Sequence, residues 1–201
     1  MKNFIQINGR QIELTEEQAA QLAETYGAKP TALCDIPVGQ TFFVGGHEFV
    51  VLEHKEQGTA AILKGLLDDM AFGDTNNFDN SDVNERCRDF AEELESAFGG
   101  DILVTHEVDL TSDDGLKDYG SVRRKCSLLT TDLYRRYVEV LDFQKVERWW
   151  WLATPYSTPR HKNSFWVKCV APSGCISFGD YYDDYGVRPF CIFNSSIFVS
   201  C

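Results

Sequence analysis

The chain has 201 residues, 43% of them hydrophobic and 25% charged, enough for one sizeable core with room for a small appendage. Thirty-one acidic residues against 19 basic leave a formal net charge of -12, which argues against a nucleic-acid partner, because phosphate backbones are met by a basic footprint. The seven cysteines (Cys34, Cys87, Cys126, Cys169, Cys175, Cys191 and Cys201) are odd in number and contain no CxxC pair, so neither a structural zinc site nor a disulfide scaffold is expected. The first nine residues lack the apolar stretch of a secretory signal, and no run of about 20 apolar residues suggests a membrane span. The expectation is a protein made in the cytoplasm, or a part of a phage virion, with reduced thiols and no cofactor.

Phe4 to Leu14 alternates apolar and polar residues on both sides of Asn8-Gly9, the pattern of a hairpin with a two-residue turn. Thr15 then starts a helix, with Gln18 at the capping-box position; Gly27 and Pro30 end it. A unit of this size does not fold alone, so it is expected to pack on the main body or to join a second subunit. From Ile36 the chain is β-rich: Thr41–Val44, Glu48–Glu53 and Thr59–Leu63 read as an antiparallel meander. His47 and His54 lack a third metal ligand nearby. Asp68 to Asp82 reads as a loop; its oxygens on Asp74, Asn76, Asn77, Asp79, Asn80 and Asp82 lack the spacing of a calcium loop. Ser81 is a candidate N-cap for a helix over Val83–Phe98, with Val83, Cys87, Phe90, Ala91, Leu94 and Phe98 as its apolar stripe and Gly99-Gly100 as its stop.

Ile102-Leu103-Val104 reads as a short buried strand, and Thr105–Lys125 as a long surface excursion. Thr130-Thr131-Asp132 caps a helix carrying Leu133, Tyr134, Tyr137, Val138 and Leu141. Trp149–Leu152 reads as a strand buried on both faces. Phe165–Val170 and Gly174–Phe178 form a hairpin around Pro172-Ser173-Gly174, and Val187–Phe193 reads as one strand with Pro189 at an edge or bulge. Arg188, inside an apolar motif, needs a carboxylate or several carbonyls and is read as a clamp on the loop before it.

Trp149-Trp150-Trp151-Leu152-Ala153-Thr154-Pro155, the polar run after it and the closing Gly186-Val187-Arg188-Pro189 resemble a bacterial and phage domain family with a W-W-L-[RA]-[TS]-P motif and a terminal G-V-R-P. That family is similar to the variable proteins of diversity-generating retroelements and to formylglycine-generating enzymes. The resemblance covers Ile36 to Cys201 and implies an α+β, C-type-lectin-like fold, two helices with antiparallel sheets, to which the N-terminal hairpin and helix add. The domain division is 1–30 and 31–201, with a variable ligand-binding region at about 156–194. The resemblance further implies diversification at adenines of codons such as AAC, which reach Ser, Phe, Gly, Asp and Tyr, the residue types of Ser177–Tyr185, but not the Trp or Lys of Trp166 and Lys168.

Tyr gives contact area at low entropy cost and Ser, Gly and Asn adapt, so the run reads as a binding surface. Its candidate ligand-binding residues are Tyr156, Asn163, Phe165, Ser177, Phe178, Asp180, Tyr181, Tyr182, Asp183, Asp184 and Tyr185, and the expected partner is a protein or cell-surface ligand. An enzyme would draw on Cys169, Cys175, Cys191 and His161, but no nucleophile-base spacing or cofactor motif accompanies them, and no catalytic residue or metal site is assigned. The remaining alternative is a structural component of a phage or cell surface that assembles through residues 1–30.

Overall fold

The computed structural model describes residues 3–7, 10–15, 17–18 and 31–200. The first hairpin is as expected: β1 (Asn3–Ile7) and β2 (Arg10–Leu14) pair antiparallel with Ile7 opposite Arg10. Thr15 and Gln18 then form a reciprocal capping box, the Thr15 N–H donating to Gln18 Oε1 (3.0 Å) and the Gln18 N–H to Thr15 Oγ1 (3.2 Å). The rest of the expected helix, from residue 19, lies outside the described residues, as do the turn residues Asn8 and Gly9.

Two sheets carry the main body. The first is built on β4 (Thr41–Val44), β5 (His47–Lys55) and β6 (Gly58–Leu63), the expected meander. It continues from β6 onto β16 (Phe190–Phe193), whose other edge takes both β8 (Leu103–Val104) and β11 (Cys126–Ser127). The second runs in the order β14 (Ile176–Asp180), β13 (Trp166–Val170), β12 (Trp150–Pro155), β15 (Tyr185–Val187) and β7 (Asp68–Met70), with β12 and β15 parallel and the other pairs antiparallel. Two small ribbons complete the set: β9 (His106–Asp109) with β10 (Ser121–Arg124), and β3 (Thr31–Ala32) with β17 (Phe198–Val199).

Helix α1 (Asp82–Phe98) starts where Ser81 Oγ accepts from the Asn84 N–H and stops at Gly99 in the left-handed region. Helix α2 (Thr131–Leu141) is capped by Thr130, whose hydroxyl accepts from the Leu133 N–H. No helix among the described residues is long and apolar enough to cross a membrane.

Strand periodicity sorts the apolar residues into two cores. Phe49 and Val51 on β5, and Trp151 and Ala153 on β12, face a large core that includes Cys87, Phe90 and Leu94 of α1. Their neighbours Val50, Leu52, Trp150 and Leu152 face a second core closed by Tyr134, Tyr137 and Leu141 of α2. A strand buried on both faces reads as an unbroken apolar run, which is why β6 and β12 show no alternation in sequence. Trp149, the first of the three tryptophans, is 38% exposed and lies outside both cores.

Three expectations need correction. The molecule is mainly β, with two α-helices on sheets among the described residues, so the α+β, C-type-lectin-like class expected from the sequence does not describe it. The difference arises in the polar stretches: β7 lies in what reads as a loop, and β9 and β10 lie in what reads as a surface excursion, where Val108 and Leu110 are buried. Val187–Phe193 is not one strand. It leaves the five-stranded sheet at Val187 and joins the other at Phe190, and Pro189, in the crossover, accepts the Leu63 N–H through its carbonyl (2.9 Å). On α2 the buried stripe is Tyr134, Tyr137 and Leu141, while Val138 is exposed.

Arg188 sits in that crossover, 1% exposed. Its Nε donates to the Leu63 carbonyl (2.9 Å), its Nη2 to the carbonyls of Lys64 (3.0 Å) and Gln144 (2.9 Å), and its guanidinium lies 5.2 Å from the Trp150 ring. Burial pushes its pKa down to about 10, so it stays charged at neutral pH. The clamp therefore holds the end of β6 and the segment after α2, not the binding loop before it that the sequence reading assigned to it. Arg188→Met would leave three carbonyls without a donor and should cost roughly 3 kcal/mol or more in urea unfolding. Arg188→Lys, which keeps the charge but not the planar fork, should fall between the two.

Candidate recognition surface

The sequence-predicted hairpin β13–β14 is present, in register from Trp166 opposite Asp180 to Val170 opposite Ile176. Its turn depends on Gly174 at φ +88°, whose carbonyl accepts from the Tyr134 hydroxyl (2.6 Å). Strand alternation sends Val167 and Cys169 into the large core and turns Trp166, Lys168 and Phe178 to the opposite face. There Phe178 meets the rings of Tyr156 (5.0 Å) and Trp166 (5.4 Å). Lys168 lies beneath them, 8% exposed, with its ammonium 5.7 Å from the Tyr156 ring centre, 5.9 Å from that of Phe178, and 3.2 Å from Asp113 Oδ2. Trp166 and Lys168, which codons such as AAC do not reach, are thus the underside of an aromatic surface.

The turn after β14 is braced by its own carboxylates. The Asp183 N–H donates to the Asp180 carbonyl (2.8 Å), the Asp180 N–H to Asp183 Oδ2 (3.0 Å), and the Tyr182 N–H to Asp180 Oδ1 (3.1 Å). Asp183 Oδ2 also accepts from the Tyr185 hydroxyl (3.3 Å). Asp180 and Asp183 therefore fix the turn, while Asp184 and Tyr182 stand exposed, Tyr182 at 63%.

The eleven candidate residues divide by place. Phe165, Phe178, Tyr182, Asp183 and Asp184 are exposed; Tyr156, Asn163, Ser177 and Asp180 are half-buried. Tyr181 is a correction: only 8% exposed, it is tied into the fold by its N–H to the Phe165 carbonyl (3.0 Å) and by its carbonyl to the Phe72 N–H (2.8 Å). Tyr185 is half-buried, its ring 4.4 Å from that of Trp151 and 5.7 Å from that of Trp149. Burial and the Asp183 carboxylate push its hydroxyl up to about 12. Both tyrosines are buttresses for the turn, because apolar area on the adjoining core residues must be covered. Gly179 completes the packing: a Cβ there would lie 2.4 Å from the Tyr185 ring.

A second set of braces, missed in the sequence, fixes the segment after β12. Asp114 accepts from the hydroxyls of Ser112 (2.5 Å) and Ser157 (2.6 Å) and bonds His161 Nδ1 (2.8 Å). Burial alone would raise its pKa, but these partners hold the carboxyl well below the usual range. Asp118 takes Thr158 Oγ1 (2.7 Å) and Arg160. Asn76, fully buried, donates to the carbonyls of Ser157 (2.8 Å) and Trp166 (3.2 Å) and accepts from the Tyr119 hydroxyl (2.7 Å), so its amide is a rivet and not a cation ligand. Asp, Ser and Thr carried a faint signal here: Asp113–Asp118 balances the hydroxyl and basic groups of Ser157–His161, but nothing local pairs segments 40 residues apart.

The residues that the sequence offers to an enzyme reading, Cys169, Cys175, Cys191 and His161, lie on different elements. Cys169 is buried in β13, its thiol pushed up to about 12 by burial; Cys175 is exposed in the hairpin turn; Cys191 is buried in β16, opposite Cys126. His161 faces Asp114, and Ser157 bonds that carboxylate and not the imidazole. His54 bonds Thr59 Oγ1 (3.0 Å) and the Ile36 carbonyl (2.8 Å), and His47 packs on Phe90. No cluster of three metal-ligating side chains occurs among the described residues. Comparison of the chain with known protein families, curated proteins and solved structures gives no match.

Gly179→Ala should destabilise the protein by about 1–3 kcal/mol, the cost of an overpacked contact. In a Tyr185→Ala background the same change should cost much less, so a double-mutant cycle by chemical denaturation should show clear coupling. Asp114 has a depressed folded pKa, so its contribution to stability is present above the ordinary carboxylate pKa and disappears as pH falls below it. Asp114→Asn should therefore lower the melting temperature at pH 7, and the difference from the parent should shrink towards pH 2.

Proposed function

We propose that the protein recognises a protein or cell-surface ligand through the exposed aromatic and acidic surface of Phe165, Phe178, Tyr182 and Asp184, and that it does so by binding and not by catalysis. The observation that carries this reading is the contrast between surface and support. Phe165, Phe178 and Tyr182 are large side chains 47–63% exposed on one hairpin and the segments at its ends, Phe165 and Tyr182 flanking Tyr181 and Phe178 flanking Tyr156 and Trp166. Beneath them lie a strand with every residue buried and a turn held by its own hydrogen bonds. Rigid aromatic residues with little rotamer freedom lose little entropy on contact, which favours them as anchors of an interface.

The resemblance to variable proteins of diversity-generating retroelements deepens the proposal: the positions that change would be the exposed ones, whose ring contacts lie at the edge of the fold. By that criterion Phe165, Phe178, Tyr182 and Asp184 are the freest to vary, and Gly179, Tyr181 and Tyr185 are fixed.

A display library randomised at 165, 178, 182 and 184 tests this. Most members should fold with melting temperatures within a few degrees of the parent, since surface changes away from packed features cost about 0.5 kcal/mol or less. Selection on protein targets should yield binders whose affinity is lost when the selected residues are replaced by alanine. Widespread unfolding of that library, or tolerance of random residues at 179, 181 and 185, would contradict the proposal.

A further inference from the structure

The edge of a sheet presents a row of backbone N–H and C=O groups, which folded proteins cover, charge or interrupt. On the five-stranded sheet the β7 edge is short and acidic, with Asp68 paired to Arg86 and Asp69 to Arg148. On the other sheet the Phe43 N–H of edge strand β4 donates to the Ser200 carbonyl (2.9 Å), and the far edge is β8 and β11, two residues each. Strand β14, the remaining edge, has none of these protections among the described residues. Ile176-Ser177-Phe178-Gly179-Asp180 contains no proline, lysine or arginine, and its pairing with β13 runs without a bulge.

The direction of its free backbone groups follows from the bonded ones. The Tyr181 N–H donates to the Phe165 carbonyl (3.0 Å), and the Cys175 carbonyl accepts from the Ala171 N–H (2.9 Å), both in the β13–β14 register. Backbone groups alternate in direction along a strand, so residues 175, 177, 179 and 181 turn theirs to β13, and Ile176, Phe178 and Asp180 turn theirs away. Asp180 agrees: its N–H and carbonyl bond Asp183 Oδ2 (3.0 Å) and the Asp183 N–H (2.8 Å) of the turn, not β13. The turn thus closes the edge at Asp180 and leaves the N–H and C=O of Ile176 and Phe178 open.

We propose that the ligand is an extended protein segment that adds to β14 as a sixth strand of this sheet. The proposal rests on the recognition surface described above and names the form its ligand takes. An extended backbone presents donors and acceptors at the spacing that Ile176 and Phe178 offer. Its side chains alternate between faces, and those on the face of Phe178, Tyr156 and Trp166 would cover exposed ring area, which favours apolar residues there. Charge narrows the choice further. Asp180, Asp183 and Asp184, where the open edge ends, have no ion pair among the described residues, so a lysine or arginine at that end of the segment is favoured. A second copy of this chain is a poorer occupant, because it brings a net charge of -12 and the same carboxylates.

The probe is a library of random linear peptides displayed on phage and panned on the full chain, with the enriched sequences then made as synthetic peptides. They should combine alternating apolar residues with a basic residue at one end. On binding, the amides of Ile176 and Phe178 should gain protection from hydrogen exchange. Ile176→Pro removes one outward N–H, leaves the bonds to β13 in place and should weaken binding about tenfold; Ser177→Pro, whose N–H faces β13, should destabilise the fold instead. Asp184→Asn should weaken a basic peptide about threefold. If Ile176→Pro does not fold, amide protection in the parent decides by itself. Peptides that lose affinity for Phe178→Ala/Tyr182→Ala, yet ignore Ile176→Pro and leave both amides unprotected, would keep the recognition surface and overturn strand addition. A library with no enriched peptide would overturn strand addition too, and the library randomised at 165, 178, 182 and 184 then tests the surface alone. Protection of Ile176 and Phe178 that rises with protein concentration in the absence of peptide would put a second copy on the edge and contradict the choice of partner.

Discussion

A buried guanidinium with no carboxylate beside it among the described residues is the constraint on which the architecture turns. Arg188 stands where the chain passes from one sheet to the other, and it satisfies its donors on backbone carbonyls of Leu63, Lys64 and Gln144. Those carbonyls belong to the end of β6 and to the stretch between α2 and β12, so one side chain fixes three parts of the chain that are far apart in sequence. Burying the charge costs free energy that only good geometry offsets, and its stacking on Trp150 and complete enclosure supply that geometry. Around this point the Gly186 N–H donates to the Trp149 carbonyl (2.8 Å) beside the parallel pair β12–β15, and on the other edge of β15 the Leu67 N–H donates to the Val187 carbonyl (2.8 Å). Gly186 admits Leu66 against its backbone, since a Cβ there would meet that side chain at 2.4 Å.

The proposed recognition surface inherits its order from this junction. Trp151 lies at the large core, Tyr185 rests on Trp151, and Asp183 receives the Tyr185 hydroxyl while closing the turn that displays Tyr182 and Asp184. On the other side, Asn76, Asp114 and Asp118 hold the segment that leads to Phe165. The polar residues that look in sequence like a contact face thus divide into those that build the turn and those left outward. Only the second group can be exchanged without loss of packing.

Local signals were legible where a single stretch decides the outcome. The β4–β6 meander, the Ser81 and Thr130 caps, the Gly99 stop, the capping box of Thr15 and Gln18 and the Gly174 hairpin all follow from neighbouring residues. What was not legible depends on partners distant in the chain. Asp68–Met70 becomes a strand only because Tyr185–Val187 offers an edge, and Val187–Phe193 divides because two sheets compete for its halves. Tyr181 reads as a surface residue by composition, yet the Phe72 and Phe165 backbones draw it inward. The same limit produced the wrong fold class: the β content hidden in polar segments is set by long-range pairing.

Native-state amide hydrogen exchange gives the most direct test of a stiff platform beneath a dispensable surface. The amides of Trp150–Ala153 and Val167–Cys169 should exchange only through global unfolding, and their protection should be the same in the parent and in a Phe178→Ala/Tyr182→Ala double variant. A marked loss of protection in those strands on removing the two exposed rings would show that surface and platform are one packing unit, and would contradict the account.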